Sequence, residues 1–280
     1  MHHFSSKAAW NPEHISTVWF DSHFNHAANR VIDWVGAELD IENAATMLDF
    51  GCGGGITTLG VALRYPSVQL YGVDIGDKFL QLPELAKEQL HLQQLPDNLH
   101  LHRIQPLQPL AESHAVDAVF NWSVFEHVPQ SHIPVIFADL YNSIREGGLF
   151  FLQIEPFYHS PWGSHLRRFV DTPWAHLLWP PERLQDAVMD YDGEIPAQHQ
   201  GHQYHVRGVE DFKRFHLEEF NSLNGITADQ ITAYVRGAGF EILREQRLTM
   251  DIPVPDVLLE QYRKEDLLTN GILLLARKQT

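Results

Sequence analysis

The chain has 280 residues, a formal net charge of −16 and a hydrophobic content of 44%. This is enough apolar material for a buried core, and it predicts one folded, enzyme-sized unit. The negative charge would repel a polyanion, and the basic residues are scattered along the chain, so nucleic acid is disfavoured as a substrate. We therefore expect a small-molecule acceptor.

Targeting signals and cysteines narrow the setting. Every apolar run is shorter than the roughly 18 to 20 residues that span a bilayer, so we expect no membrane partner. The N-terminal sequence MHHFSSKAAWNPEH has no basic stretch followed by an apolar one, which favours a cytoplasmic protein over a secreted one. The single cysteine, Cys52, excludes an internal disulfide. A homodimer is one assembly compatible with this sequence.

The predicted elements of the first half alternate between strand and helix. Residues 25–39 repeat apolar side chains at helical spacing. Gly147 and Gly148 are predicted to end a helix before the next strand. The alternation predicts an α/β fold with a mainly parallel sheet and helices on both faces. The strands are predicted at 46–50, 69–73, 99–104, 116–121 and 149–154, and the helices between them at 57–64, 79–94 and 131–144.

The segment 156–225 interrupts this alternation. It is rich in Pro, Trp, His and Arg at a place where a compact α/β domain needs only a short connection. We interpret it as an inserted lid and call it the lid segment. After it, residues 227–237 predict a helix with Thr227 as its N-cap, and 240–248 and 272–277 predict two further strands.

A glycine-rich stretch carries the strongest functional signal. Residues 47–62 read MLDFGCGGGITTLGVA, so four glycines within five residues follow a predicted strand and lead into a predicted helix. Glycine lets a backbone turn sharply and approach a ligand closely, and the free N–H groups that open a helix suit polar ligand groups. The next strand, YGVDI at 71–75, delivers Asp74, which can accept both hydroxyls of a ribose. This layout predicts a site for a nucleoside-bearing cofactor.

The glycine spacing distinguishes between two cofactor classes. A dinucleotide site requires G-x-G-x-x-G. Counting from Gly51, the third position is Ile56, and counting from Gly53, it is Thr58. The dinucleotide pattern therefore fails.

Asp49, Gly51, Gly53 and Gly55 instead resemble motif I of class I S-adenosylmethionine-dependent methyltransferases, in which Asp74 matches the ribose-binding acid. The resemblance implies a seven-stranded Rossmann-like sheet whose seventh strand inserts antiparallel between the fifth and the sixth. It also implies S-adenosyl-L-methionine as methyl donor and S-adenosyl-L-homocysteine as product. The domains would be a helical cap at 1–45, a cofactor-binding domain at 46–155 with 226–280, and a substrate lid at 156–225.

The cofactor contacts follow from the same resemblance. The block VDAVFNWSVFEHV at 116–128 resembles the family's fourth motif, a strand ending beside the cofactor before an EH pair. Many relatives have a Gly-Asp pair after the third strand, but this chain has RIQPL there, so Gln105 is the candidate for the adenine contact. The predicted cofactor-binding residues are Asp49, Gly51, Cys52, Gly53, Asp74, Ile75, Gln105, Asn121, Trp122 and Ser123.

Methyl transfer from a sulfonium is an in-line displacement, so positioning the acceptor is much of the work. A hydroxyl acceptor also benefits from a base, and histidine titrates in the useful range. The candidate bases are His127 of the EH pair and two histidines of the lid segment, His159 and His165. Each could instead be an ordinary structural histidine. The candidate substrate contacts are Glu155, Trp162 and Arg168, the last as a clamp for a carboxylate or phosphate.

Three histidines near the end of the lid segment are candidate metal ligands. His199, His202 and His205 recur at three-residue spacing in HQGHQYH, which could place two ligands on one side of a helical turn. Gly201 favours a loop and no carboxylate accompanies them, so we predict no metal. The favoured function is O-methylation of a hydroxyl on a small metabolite such as a sugar or a secondary-metabolite intermediate. The alternatives are a metal-assisted C-methyltransferase and a non-catalytic cofactor-binding or scaffold protein.

Overall fold

A computed structural model describes residues 12–44, 46–110, 115–195 and 208–279. The three histidines of HQGHQYH lie outside these residues. In the described part of the chain, no helix has the length and apolar character to cross a membrane. Contacts divide these residues into two compact units, the first with 12–44, 46–108 and 116–121, and the second with 109–110, 115, 122–195 and 208–279.

The strands form one seven-stranded sheet. They are β1 (Thr46–Phe50), β2 (Gln69–Asp74), β3 (Leu99–Arg103), β4 (Val116–Trp122), β5 (Ile144–Ile154), β6 (Phe240–Thr249) and β7 (Thr269–Lys278). Their order in the sheet is β3-β2-β1-β4-β5-β7-β6. β1 pairs in parallel with β2 and β4, and β2 with β3, whereas β7 is antiparallel to both β5 and β6. The predicted fold class and the inserted seventh strand are thus confirmed.

Helices follow the strands in the predicted alternation. The predicted helices begin or end within a few residues of their predicted bounds, whereas the short helix at 18–21, the three helices of the lid segment and the two between β6 and β7 were not predicted. The α-helices are α1 (Val18–Asp21), α2 (Ala28–Val35), α3 (Ile56–Arg64), α4 (Leu82–Leu90), α5 (Ile133–Ser143), α6 (Ala175–Leu178), α7 (Pro181–Met189), α8 (Val209–Ser222), α9 (Ala228–Gly237), α10 (Asp256–Leu259) and α11 (Lys264–Leu268).

The N-terminal helices of the first unit pack against α3. The predicted helix at 25–39 is a π-helical turn, Ser22–Ala27, continued by α2. Phe20 and Phe24 are fully buried in an apolar cluster with Ile56 and Leu59 of α3. Gly60 permits this close approach, because an added Cβ would lie 2.6 Å from the carbonyl oxygen of Phe24. The helix that follows the glycine loop is therefore fixed on its outer side.

The glycine stop predicted after α5 is wrong. Gly147 and Gly148 do not stop the helix, because α5 ends at Ser143 and both glycines lie inside β5. Side chains satisfy the helix's last carbonyl groups instead. The Ser143 hydroxyl donates to Leu140 O at 2.9 Å, and Lys278 Nζ donates to Tyr141 O at 2.9 Å. No glycine cap is needed, so the chain passes directly into the strand.

The lid segment contains α6, α7 and α8. Its apolar side chains form a cluster of their own, in which Leu166 and Val170 pack with Leu184 and Val188 of α7. Its role as a substrate lid stays a prediction. The helix after it, α9, begins as predicted, because Thr227 and Gln230 form a reciprocal capping box.

Asp49 is a buried acid in the middle of the sheet. It lies on β1 with 2% of its surface exposed, and Thr58 Oγ1 donates to its Oδ2 at 2.6 Å. Burial raises the pKa of Asp49 to about 7; the Thr58 hydrogen bond opposes this shift and the nearby Asp74 adds to it. The folded protein thus holds a proton on Asp49 that the unfolded chain releases near pH 4.

Substitution of Gly55 tests how closely the glycine loop packs against β3. Its φ is +74°, and an added Cβ would lie 2.9 Å from Leu101 Cδ1. Gly147 has the same φ of +74° but nothing within 4 Å of an added Cβ. Left-handed backbone costs a non-glycine residue about 1 kcal/mol, so Gly147→Ala should lower the free energy of unfolding by roughly that amount. Gly55→Ala should cost about 1 kcal/mol more, because Leu101 must also move. Urea denaturation measures both, and equal losses would show that the loop does not crowd β3.

Asp49→Asn should stabilise the protein in a pH-dependent way. Between pH 4 and 7 the unfolded wild type has lost the Asp49 proton and the folded one keeps it, so this group makes the wild type less stable as the pH rises. The gain in unfolding free energy from Asp49→Asn should therefore grow by about 2 to 3 kcal/mol from pH 5 to pH 8. Denaturation curves at both pH values measure it, with Asp77→Asn as an exposed control. A gain independent of pH would contradict the expectation.

Candidate active site

The glycine loop folds back onto the end of β2. The backbone N–H groups of Gly51 and Cys52 both donate to Val73 O, at 2.8 and 3.0 Å. Gly51, Gly53 and Gly55 have φ values of +76°, +53° and +74°, which glycine adopts without strain. An added Cβ on Gly53 would meet nothing within 4 Å, so this part of the loop borders open space.

Asp74, the last residue of the neighbouring strand β2, accepts hydrogen bonds from the same loop. Its Oδ2 accepts from Gly53 N at 2.8 Å, and its Oδ1 accepts from Gly76 N at 2.7 Å. A carboxylate oxygen has two lone pairs, so each oxygen retains capacity for a ligand hydroxyl. The half-buried carboxylate is therefore oriented before any ligand arrives.

Cys52 is a structural residue of this loop. Its side chain is buried, and an added Cβ on Gly72 would lie 3.0 Å from Cys52 Cβ. Burial, with Asp49 and Asp74 nearby, raises the pKa of the thiol. A thiol that stays protonated is a poor nucleophile. The short distance shows that Cys52 leaves little room for a side chain at position 72.

The remaining predicted cofactor contacts of the first unit differ in exposure. Ile75 is 58% exposed, and its carbonyl accepts from Arg103 Nε at 3.0 Å. Gln105 is exposed, and its backbone N–H donates to Gln108 Oε1 at 2.9 Å. Asn121 is fully buried, and neither polar atom of its side chain has a hydrogen-bond partner among the described residues. Leaving a buried amide unpaired costs about 1 to 3 kcal/mol, and a polar ligand would remove that cost.

These observations fit an S-adenosylmethionine site. The cofactor offers two ribose hydroxyls, which suit the Asp74 carboxylate, and the open side of Gly53 leaves room for a ligand against the backbone. The unpartnered Asn121 amide suits a polar part of the same ligand. The adenine contact assigned to Gln105 stays a prediction.

The second unit begins at the carboxyl end of β4. Ser123 has a φ of +53°, and its backbone N–H and hydroxyl both lie 3.0 to 3.1 Å from the side-chain oxygen of Gln153. Trp122 precedes it as the last residue of β4. Glu155 follows β5, and its Oε1 accepts from Asn270 Nδ2 at 2.8 Å. That bond fixes the orientation of the Glu155 carboxylate.

The EH turn contains a second buried acid. Glu126 is 1% exposed, and neither carboxyl oxygen has a hydrogen-bond partner of regular geometry within the described residues. Burial raises its pKa to about 8, so the carboxyl is mostly protonated at neutral pH. Asn224 holds the turn from the end of the lid segment, donating from Nδ2 to Phe125 O at 2.6 Å and from its backbone to Glu126 O at 2.9 Å.

Two of the predicted histidines meet. The rings of His127 and His165 lie edge to face, 5.5 Å apart. Burial, the neighbouring His127 and other positive groups lower the pKa of His165 to about 4. His165 is therefore neutral at pH 7 and holds a proton weakly, which makes it a poor base. His127 is only partly buried and also contacts the end of α8.

His159 has other neighbours. Its ring packs against Tyr158 and Tyr262, at centroid distances of 5.4 and 5.3 Å. Burial lowers its pKa, against the opposing effect of Asp266. His159 lines a shallow crevice that Asp266 also lines, and its Nδ1 has no hydrogen-bond partner in the described ranges. The described contacts therefore do not join His159 to the His127–His165 pair.

Trp162 and Arg168 lie within the packed lid segment. Arg167 stacks over the Trp162 ring at 4.0 Å, and the Trp162 indole N–H is buried without a partner in the described part of the chain. Arg168 Nη1 contacts His216 Nε2, and burial lowers the pKa of Arg168 to about 10. A cation held in a buried position suits an anionic ligand group. The roles of both residues stay predictions.

Several residues that hold the site had no sequence signal. Thr58 binds Asp49 from the first turns of α3, and Ser222 and Asn224 reach the EH turn from about 95 residues further along the chain. The EH pair itself was recognisable, but the burial of Glu126 was not. The described residues contain no group of three or more side chains arranged to ligate a metal.

Comparison with known proteins finds similar methyltransferases. A family model described as a methyltransferase domain matches residues 48–150, which include the glycine loop, Asp74 and the EH turn. Trans-aconitate 2-methyltransferase of Azoarcus sp. (strain BH72) is 29% identical over 143 residues, covering 51% of each chain. Ubiquinone biosynthesis O-methyltransferase of Psychrobacter cryohalolentis is 40% identical over 85 residues, covering 30% of this chain and 31% of the relative. The alignments thus span about half, or less, of these curated relatives.

Solved structures share the fold over most of the chain. Geranyl diphosphate methyltransferase, solved with GPP and sinefungin, aligns with a TM-score of 0.52 at 14% identity, covering 90% of this chain and 77% of that one. The 4+2 cyclase SpnF aligns with a TM-score of 0.53 at 16% identity, covering 91% and 82%. At such identities the likeness shows the fold alone. The methyltransferase-domain model over residues 48–150, the glycine loop with Asp74 and the strand order together support a methyltransferase domain of the class I S-adenosylmethionine-dependent type.

Proposed function

We propose that this protein transfers a methyl group from S-adenosylmethionine to an oxygen atom, most simply a hydroxyl, of a small metabolite. The observation that carries the proposal is the preformed bond between Gly53 N–H and the Asp74 carboxylate, which orients an acid for a ribose beside an open stretch of backbone. When bound, the cofactor supplies an electrophilic methyl group on a sulfonium.

The chain's own residues have separate tasks in this proposal. Asp74 accepts the ribose hydroxyls, and the glycine loop gives the ligand close access to the backbone at the start of α3. Burial raises the pKa of Asp49 to about 7, so at neutral pH it carries only part of a negative charge beside Asp74. Asn121 pairs its buried amide with a polar group of the ligand.

His127 is the preferred base among the three candidates. Burial lowers the pKa of His165 to about 4 and also lowers that of His159, so both hold a proton less well than an ordinary imidazole. His127 retains 25% side-chain exposure, and its Nε2 lies 3.9 Å from the Glu219 carboxylate, which favours a positive ring. A base that gains a nearby counter-charge can accept the acceptor's proton as the new bond forms.

The preference for oxygen rests on two supports. Histidine bases suit hydroxyl acceptors, and one similar protein is named a ubiquinone biosynthesis O-methyltransferase. Arg168 would favour an acceptor with a carboxylate or phosphate. Glu155 and Trp162 are further candidates for acceptor contacts. In this proposal, residues 156–225 form the substrate lid and the enzyme acts in the cytoplasm.

Two other functions make different predictions. A metal-assisted C-methyltransferase would lose turnover with a chelator. A non-catalytic cofactor-binding protein would bind S-adenosylhomocysteine but methylate nothing in a broad acceptor panel.

Asp74→Asn should weaken cofactor binding. It replaces a carboxylate that accepts from Gly53 and Gly76 and would accept from the ribose. Hydrogen bonds to a charged group are worth about 1.5 to 3 kcal/mol, so the Kd for S-adenosylhomocysteine should rise roughly 10- to 100-fold. Calorimetry measures it, with Asp77→Asn as the matched exposed control. Equal Kd values for S-adenosylhomocysteine in both variants would show that Asp74 does not contact the cofactor. A wild type that does not bind S-adenosylhomocysteine would refute the proposed function.

His127→Gln should remove most of the turnover. General base catalysis typically contributes about 10²- to 10⁴-fold, so kcat should fall within that range while the Kd for S-adenosylhomocysteine is unchanged. The assay is transfer of labelled methyl to a panel of hydroxyl- and carboxylate-bearing metabolites, trans-aconitate among them, with and without chelator. His132→Gln, at the N-cap of α5, is the matched control. Unchanged kcat in His127→Gln would exclude the base role.

A further inference from the structure

The end of α8 holds the ring of His127. His127 Nδ1 lies 2.6 Å from the hydroxyl oxygen of Ser222, the last residue of α8. In a neutral imidazole only one nitrogen carries a hydrogen, and the hydrogen bond made by one nitrogen decides the state of the other. The direction of the Ser222 hydrogen bond therefore sets which nitrogen of His127 is basic.

The hydrogen of the Ser222 hydroxyl has a definite acceptor. Ser222 Oγ donates to Glu219 O at 2.7 Å. At this helix end the N–H of Leu223 bonds to Phe220 O rather than to Glu219 O, so the hydroxyl supplies a donor to the Glu219 carbonyl. A hydroxyl has one hydrogen, so toward His127 Ser222 can only accept. Nδ1 then carries the ring hydrogen, and Nε2 carries the lone pair.

We propose that Ser222 is a positioning residue that holds neutral His127 in its Nδ1–H tautomer, so that Nε2 is the basic atom. The inference deepens the proposed function and rests on it for the role of that base. As the acceptor oxygen forms its bond to the methyl carbon, its proton passes to the Nε2 lone pair. The carbon–sulfur bond breaks with its electron pair going to sulfur, which leaves S-adenosylhomocysteine.

The groups that face His127 suit this direction of proton transfer. Glu219 Oε2 lies 3.9 Å from Nε2, which stabilises the ring once it is positive. His165 faces the ring edge to face at 5.5 Å, and burial keeps it neutral, so it adds no opposing charge. Glu126, the preceding residue, is mostly protonated at neutral pH. The one ionised neighbour among these three is thus the carboxylate of Glu219.

Nitrogen-detected NMR of the full chain with S-adenosylhomocysteine tests the proposal without any acceptor. The His127 ring signals are assigned as those missing from His127→Gln. In the wild type above the ring's titration range, we expect Nδ1 to be protonated and Nε2 unprotonated. In Ser222→Ala the ring should shift to the mixture of both tautomers that a free imidazole shows.

Two variants keep the result interpretable. Ser222→Thr retains a hydroxyl and should restore the Nδ1–H tautomer. Ser143→Ala removes the equivalent serine-to-carbonyl bond at the end of α5, Ser143 Oγ to Leu140 O at 2.9 Å, and should leave the His127 signals unchanged. A structural role for Ser222 alone would alter stability in Ser222→Ala without moving the tautomer.

Three outcomes would overturn the inference: a wild-type ring in the Nε2–H form, a wild-type ring that stays doubly protonated up to pH 9, or the same tautomer in wild type and Ser222→Ala. Failure of the proposed function looks different. If S-adenosylhomocysteine does not bind, or no acceptor is methylated, the ring signals of the free chain still report the tautomer. The two ideas can therefore fail separately.

Discussion

The hydrogen bond from Gly53 N–H to the Asp74 carboxylate is the interaction on which the first unit's site depends. It joins the loop after β1 to the end of β2, and the neighbouring bonds from Gly51 and Cys52 to Val73 O strengthen the same connection. The loop needs three left-handed residues to make these bonds, which only glycine supplies without strain. Asp74, the proposed ribose-binding acid, and the backbone beside it are therefore held together by hydrogen bonds.

Each unit contains a buried acid whose pKa is raised. Asp49 lies on β1 just before the loop, and burial raises its pKa to about 7, so at neutral pH it carries only part of a negative charge near Asp74. In the second unit, burial raises the pKa of Glu126 to about 8 beside the candidate base. Neutral acids of this kind can donate as well as accept hydrogen bonds. Both are removed from water by the packing around them, which no local sequence pattern encodes.

The histidines show how the surroundings separate similar side chains. His127 and His165 face each other, yet burial makes one a poor proton acceptor while the other stays partly exposed near a carboxylate. His159 packs on tyrosines at a different crevice. The sequence could name all three as titratable groups, one in the EH pair and two in the lid segment. It could not rank them, because the ranking depends on burial and neighbours.

The sequence by itself determined the α/β fold class and the glycine loop with its acid, because glycine conformation, strand and helix periodicity and motif spacing are local properties. The strand order followed from the family resemblance. The sequence also predicted Thr227 as an N-cap and the end of α5 to within one residue. It wrongly predicted a glycine stop before the strand, since β5 begins at Ile144 and Lys278 and the Ser143 hydroxyl replace a glycine cap. Only the tertiary structure decided the protonation of Asp49 and Glu126, the support of the EH turn by Asn224 and the contact of Ser222 with His127. These features join residues up to about 100 positions apart, and their energies come from burial and hydrogen bonding that exist only after folding.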